Sequence, residues 1–96
     1  MQVARQAEWA LRFAIGDMND EQLSLLTLLE VRPEPDATRL AAVWGTAPRQ
    51  DLPLAASALE KHRGELRARV AEALTRKKAP TLVFYVLPNT GAEVSS

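Results

Sequence analysis

Hydrophobic and polar positions change their period three times along this chain. From Gln2 to Ala14 the apolar residues Val3, Ala7, Ala10, Leu11 and Ala14 recur at helical spacing, with Trp9 and Phe13 beside them. That pattern predicts an amphipathic helix whose two aromatics pack into the core. Gly16-Asp17 should end it, and Asn19-Asp20-Glu21 should be loop. From Leu23 to Val31 period two takes over. Leu23, Leu25, Thr27, Leu29 and Val31 fall on one strand face, and Ser24, Leu26, Leu28 and Glu30 on the other. Leucines alone also suit a helix. The segment that follows, Arg32-Pro33-Glu34-Pro35-Asp36, decides for a strand, because each proline fixes φ and breaks a helix. Thr38 to Trp44 then alternates, with Leu40, Ala42 and Trp44 on one face, so the two runs read as a hairpin.

Helical spacing returns after a loop at Gly45 to Gln50. Leu54 to Lys61 forms a second predicted helix, with Leu54, Ala55, Ala58 and Leu59 inward, Asp51 as its cap and Pro53 in its first turn. Gly64 interrupts it. A third helix runs to about Lys77, with Leu66, Val70, Ala73 and Leu74 on one stripe, and Pro80 stops it. Thr81 to Leu87 is β-branched and aromatic, which predicts a third strand. Pro88-Asn89 ends that strand, and residues 89–96 are expected to be a flexible tail. Residues 1–88 then make a single domain of order α-β-β-α-α-β. Such an order suggests an α+β fold with helices on one face of a three-stranded sheet. Leu40, Ala42, Trp44, Leu66, Val70, Leu74, Leu82 and Phe84 are its expected core.

Composition narrows the setting. A hydrophobic share of 47% is ample for one core, and cysteine is absent, which fits a reducing compartment. No apolar run approaches the ~20 residues that span a membrane. Arg5, Glu8 and Arg12 interrupt the N-terminal apolar residues, so a signal peptide is not expected and the chain reads as cytoplasmic. Net charge is zero, yet residues 61–78 hold seven basic and two acidic residues, a net +5. The remaining five basic and ten acidic residues leave −5 elsewhere. A segregated positive patch can bind an anionic polymer even in a neutral protein.

Candidate catalytic chemistry is sparse. His62 is the only histidine, and no serine or carboxylate is placed by the sequence to partner it. One imidazole without cysteine does not make the usual zinc site. The carboxylates Asp20-Glu21 and Glu34/Asp36 sit in turns for backbone reasons, and no phosphate-binding glycine loop is present. We therefore expect no catalytic residue, no metal, no cofactor and no small-molecule substrate. The junction between the second and third helices is different. Arg63 at the turn, Gly64 beside it and Arg67 one turn inside can clamp phosphate. Arginine grips phosphate bidentately, a helix start offers free N–H groups, and glycine lets a backbone come close. Lys61 and Arg69 extend the cluster, as do Arg76, Lys77 and Lys78, which also oppose the helix dipole. The other reading of the same charges is a solvated helix face.

Gly64-Glu65-Leu66-Arg67, followed by Lys77, Pro80, Leu82 and Phe84, resembles the second half of the ribosome-binding factor A family. There a kinked helix pair carries glycine, then x-hydrophobic-Arg, a basic residue, a proline and an L-x-F strand. The upstream LLTLLEVRPEPDATRLAAVWG is similar to that family's hairpin, so the resemblance spans roughly residues 3–88. It implies a type II KH-like fold with a helix–kink–helix at His62-Gly64. It further implies a non-catalytic factor that binds 16S ribosomal RNA on the small (30S) subunit and assists its assembly and maturation, as a monomer without membrane contact. Lys61, Arg63, Gly64, Arg67, Arg69, Arg76, Lys77 and Lys78 become the expected RNA-binding residues. Two positions depart from the family pattern. Histidine stands where the kink usually has a small residue, and Asn19-Asp20-Glu21-Gln22 replaces an Asp-Pro-Arg before the first strand. The alternative is a KH-like protein-interaction module that has lost direct RNA binding.

Overall fold

The structure is a computed structural model that describes residues 3–34, 38–74 and 80–88. Its elements run α1 (Val3–Asp17), α2 (Glu21–Leu25), β1 (Thr27–Pro33), β2 (Arg39–Gly45), α3 (Leu52–Lys61), α4 (Arg63–Leu74) and β3 (Thr81–Leu87). This is the expected order with one short helix added. The centre of the hairpin turn at Pro35-Asp36, the end of the third helix from residue 75 and the tail 89–96 lie outside the described residues.

The added helix has a local cause. Asp20 is in an extended conformation, and its side chain accepts a hydrogen bond from Leu23 N at 3.2 Å, which caps α2. Glu21 in the first turn favours the same helix through its dipole. Leu26 returns the chain to extended backbone, so β1 begins at Thr27 rather than Leu23. The expected alternation fails with it. Leu23 is buried from a helix, Leu25 is exposed, and a bulge between Leu28 and Glu30 shifts the strand register. The extra residue lets Leu28 and Val31, three apart, both face the core and leaves Leu29 outside.

β1 pairs antiparallel with β2, and β2 pairs parallel with β3, giving the order β1-β2-β3. The central strand is buried along Leu40 to Gly45, as expected of a strand flanked on both edges. Leu40, Ala42, Trp44 and Leu82 meet Leu66, Val70 and Leu74 of α4 and Ala7, Leu11 and Ala14 of α1 in one core. Phe84 is partly buried and meets Trp44 edge-on, with centroids 6.2 Å apart. The eight residues expected to form one core thus lie together, Phe84 at its edge.

Four expected inward positions point outward. Leu54 and Ala73 are exposed, because α3 and α4 bury narrower stripes than the pattern allowed. Trp9 and Phe13 are exposed as well. α1 buries the Ala7-Leu11-Ala14 stripe, and residues 9 and 13 lie off it. Among the described residues no helix is long and apolar enough to cross a membrane.

Candidate nucleic-acid interface

The junction of α3 and α4 is a direct helix-to-helix corner. α3 starts with the expected cap, Asp51 accepting from Leu54 N at 3.1 Å. It ends at His62, whose N–H donates to Ala58 O at 3.1 Å, while His62 O accepts from Leu66 N at 2.9 Å and so opens α4. Gly64 lies in the first turn of α4. A Cβ built there would meet nothing within 4 Å, and its φ is not positive. The fold therefore needs no glycine at this point, and the backbone is open on its outer side.

The basic residues divide into three groups. Lys61 and Arg67 are exposed, and among the described residues no carboxylate pairs with either. Arg63 is half-exposed: its Nη2 donates to Leu82 O at 3.3 Å, and its Nη1 lies 3.5 Å from Glu60 Oε2. These contacts steady the guanidinium against β3 and leave part of it in solvent. Arg69 is turned aside. Its Nη1 meets Asp17 Oδ2 at 3.1 Å and its Nη2 lies 3.8 Å from Glu65 Oε2, so it ties α4 to the end of α1. Arg76, Lys77 and Lys78 lie outside the described residues. The structure thus brings Lys61, Arg63, Gly64 and Arg67 to one corner and spends much of Arg69 on internal pairs. Glu60 pairs with Arg63 rather than with Arg67, and Arg67 is exposed.

His62 corrects the sequence reading in one respect. A carboxylate does face it: Nε2 lies 3.0 Å from Asp20 Oδ2, with both side chains about four-fifths buried. Burial raises the Asp20 pKa, but the N–H of Leu23, the His62 ring and the N–H of Gln22 together outweigh it and hold the carboxyl below its ordinary value. One carboxylate therefore caps α2 and anchors the corner. A second tie runs beside it: Gln50 Nε2 donates to Gln22 O at 2.8 Å and to its Oε1 at 3.0 Å. The sequence held a signal for this in Asp20, a good capping residue with an acidic neighbour in the following turn. The distance of 42 positions from Asp20 to His62 hid the rest. Among the described residues no group of three or more histidine, cysteine or acidic side chains could hold a metal.

No family model matches the chain, and no curated protein does. Among solved structures, it is similar to the crystal structure of ribosome-binding factor A from Thermus thermophilus. The TM-score is 0.73 at 27% identity, over 88% of this chain and 89% of that one. The resemblance carried by Gly64-Glu65-Leu66-Arg67 and the hairpin thus extends to three dimensions. The chain has the α+β, KH-like fold of ribosome-binding factor A.

Proposed function

We propose that this protein is a non-catalytic ribosome-binding factor. It binds 16S ribosomal RNA on the small (30S) subunit and assists that subunit's assembly and rRNA maturation, acting in the cytoplasm as a monomer. The likeness to ribosome-binding factor A over nearly the whole length of both chains carries the reading. The corner adds physical support, since among the described residues Arg67 is exposed without an ion pair and Gly64 is open where the fold does not need it. Lys61, Arg63 and Arg67 supply charge to phosphates, and Gly64 admits a close backbone. Arg69 contributes less, because an external phosphate must compete with Asp17 and Glu65. Arg76, Lys77 and Lys78 complete the proposed set.

Co-sedimentation with small-subunit particles tests this. Arg67→Glu should weaken association at low salt while thermal unfolding stays nearly unchanged, and Arg63→Glu should weaken it too, with some loss of stability from the forfeited Leu82 O and Glu60 contacts. Exposed charge substitutions usually move stability by less than about 0.5 kcal/mol. If both reversals co-sediment like the wild type, the corner is not the RNA site, and the protein-interaction reading replaces this one.

A further inference from the structure

Trp9 and Phe13 stand one helical turn apart on α1, off the stripe formed by Ala7, Leu11 and Ala14. They are 59% and 67% exposed, with ring centroids 5.9 Å apart and planes at 29°. Single exposed apolar residues are ordinary, but two large stacked aromatics in solvent form a patch of the kind that marks contact surfaces. Beside Phe13 a groove of about 280 Å³ between α1 and α4 is lined by Ala10, Arg69, Glu72 and Ala73.

Charge decides what kind of partner fits. The ionic groups around the pair are largely satisfied within the molecule: Arg12 by Glu8 at 2.6 Å and Arg69 by Asp17 at 3.1 Å. Arg5 and Glu72 remain, one of each sign. Among the described residues no surplus positive charge is left there to hold a phosphate backbone, which is what sequence-independent RNA binding requires. Aromatic residues among internally paired charges match the centre of a protein–protein contact. The patch is also apart from the corner. At about 100° per residue, Arg69 and Ala73 occupy the flank of α4 opposite Arg67.

We infer that the Trp9–Phe13 pair is a second docking surface, and that its occupant is a protein surface, apolar and uncharged at the contact, on the ribosomal particle. The inference rests on the ribosome-binding reading for the source of that protein. The corner grips RNA electrostatically, while the aromatic pair adds an apolar contact that salt does not weaken.

The test is the double variant Trp9→Gln/Phe13→Gln, which keeps good helix formers on α1. Association is measured with small-subunit particles at high salt and, separately, with protein-free 16S rRNA at low salt, where the corner still binds. Particle binding should fall about tenfold or more, the scale of an aromatic hot spot, with rRNA binding unchanged. Equal losses on both would make the RNA bases the occupant and overturn the inference. Unchanged particle binding would overturn it too, as would a wild-type dimer that the variant abolishes, since the occupant would then be a second copy. A wild-type chain that fails to bind particles would overturn the ribosome-binding reading and this inference together. A second measurement does not depend on a variant. The chain has two tryptophans, one exposed and Trp44 buried. In fluorotryptophan-labelled wild-type protein, particles should shift the Trp9 resonance and protein-free rRNA should not. A Trp9 signal that ignores particles refutes the inference.

Discussion

Gly64→Ala should make this protein more stable and a poorer RNA binder. Glycine in a helix costs roughly 0.5–1 kcal/mol relative to alanine, because its backbone loses more freedom on folding. Nothing in the fold recovers that cost: a Cβ at position 64 meets no atom within 4 Å, and no glycine among the described residues has a positive φ. Position 64 is the second residue of α4, where helix propensity counts for less than at the centre, so about 0.5 kcal/mol is the expected gain. For a domain of this size that corresponds to a rise of about 2–4 °C in Tm. If the glycine serves close approach of an RNA backbone, the new methyl group occupies that approach, and particle association weakens although the protein is more stable. Thermal unfolding by circular dichroism and co-sedimentation on the same preparations give both readouts. A more stable variant that binds like the wild type would show that the open backbone at Gly64 contacts nothing. A destabilised variant would refute the geometric argument itself.

Other substitutions separate the core from the tie at the corner. Leu74→Ala, at a buried position under the sheet, should cost about 2–5 kcal/mol in denaturant unfolding; a loss below about 1 would contradict its place in the core. His62→Ala should cost about 1 kcal/mol through its hydrogen bond to Asp20. In a double-mutant cycle with Asp20→Ala the two losses should be clearly non-additive, because both remove the same contact; additive losses would mean the pair is not coupled. Acid should act through the same carboxylate. Asp20 has a folded pKa below its unfolded value, so its contribution is present above the ordinary aspartate range and is lost as pH falls through the lowered value. Asp20→Asn should therefore flatten the acid side of the stability profile below about pH 4, and an unchanged acid limb would refute that role.

The strands and helices were legible where one short-range rule governed them. β3 from Thr81 to Leu87 and the Asp51 cap of α3 needed only local chemistry. The α1–α4 packing needed only a regular stripe of Ala7, Leu11, Ala14, Leu66, Val70 and Leu74. Reading failed where two local signals competed. In LSLLTLLEV apolar residues recur at spacing two, broken only by Thr27 on one face, but also at spacings of three and four, and a cap at Asp20 settled the first turn as helix. Trp9 and Phe13 were misplaced for a related reason. Large aromatics are expected inside, but small alanines on the neighbouring stripe allow α1 to approach the core closely, and that stripe won. The His62–Asp20 contact was unreadable because nothing local brings position 62 to position 20.

The division of the basic residues also bears on how a neutral chain can hold RNA. Phosphate contacts release counterions, and each contributes roughly 0.7–0.9 to the slope of log K against log salt. Lys61, Arg63 and Arg67 alone would give a slope of about −2 to −3 by that measure. Adding Arg76, Lys77 and Lys78 would deepen it to about −4 to −5. Arg69 should add little, since its guanidinium already faces Asp17 and Glu65. Titration of a labelled 16S rRNA fragment across salt concentrations measures this directly. Arg67→Ala should make the slope shallower by nearly one contact, whereas Arg69→Ala should leave the slope in place and lower stability slightly by freeing Asp17. If Arg69→Ala flattens the slope as much as Arg67→Ala does, the ion pairs open on binding and α4 meets RNA on both flanks. The neutral aromatic patch would then lie beside that RNA, and the separation of an electrostatic corner from an apolar contact would fail.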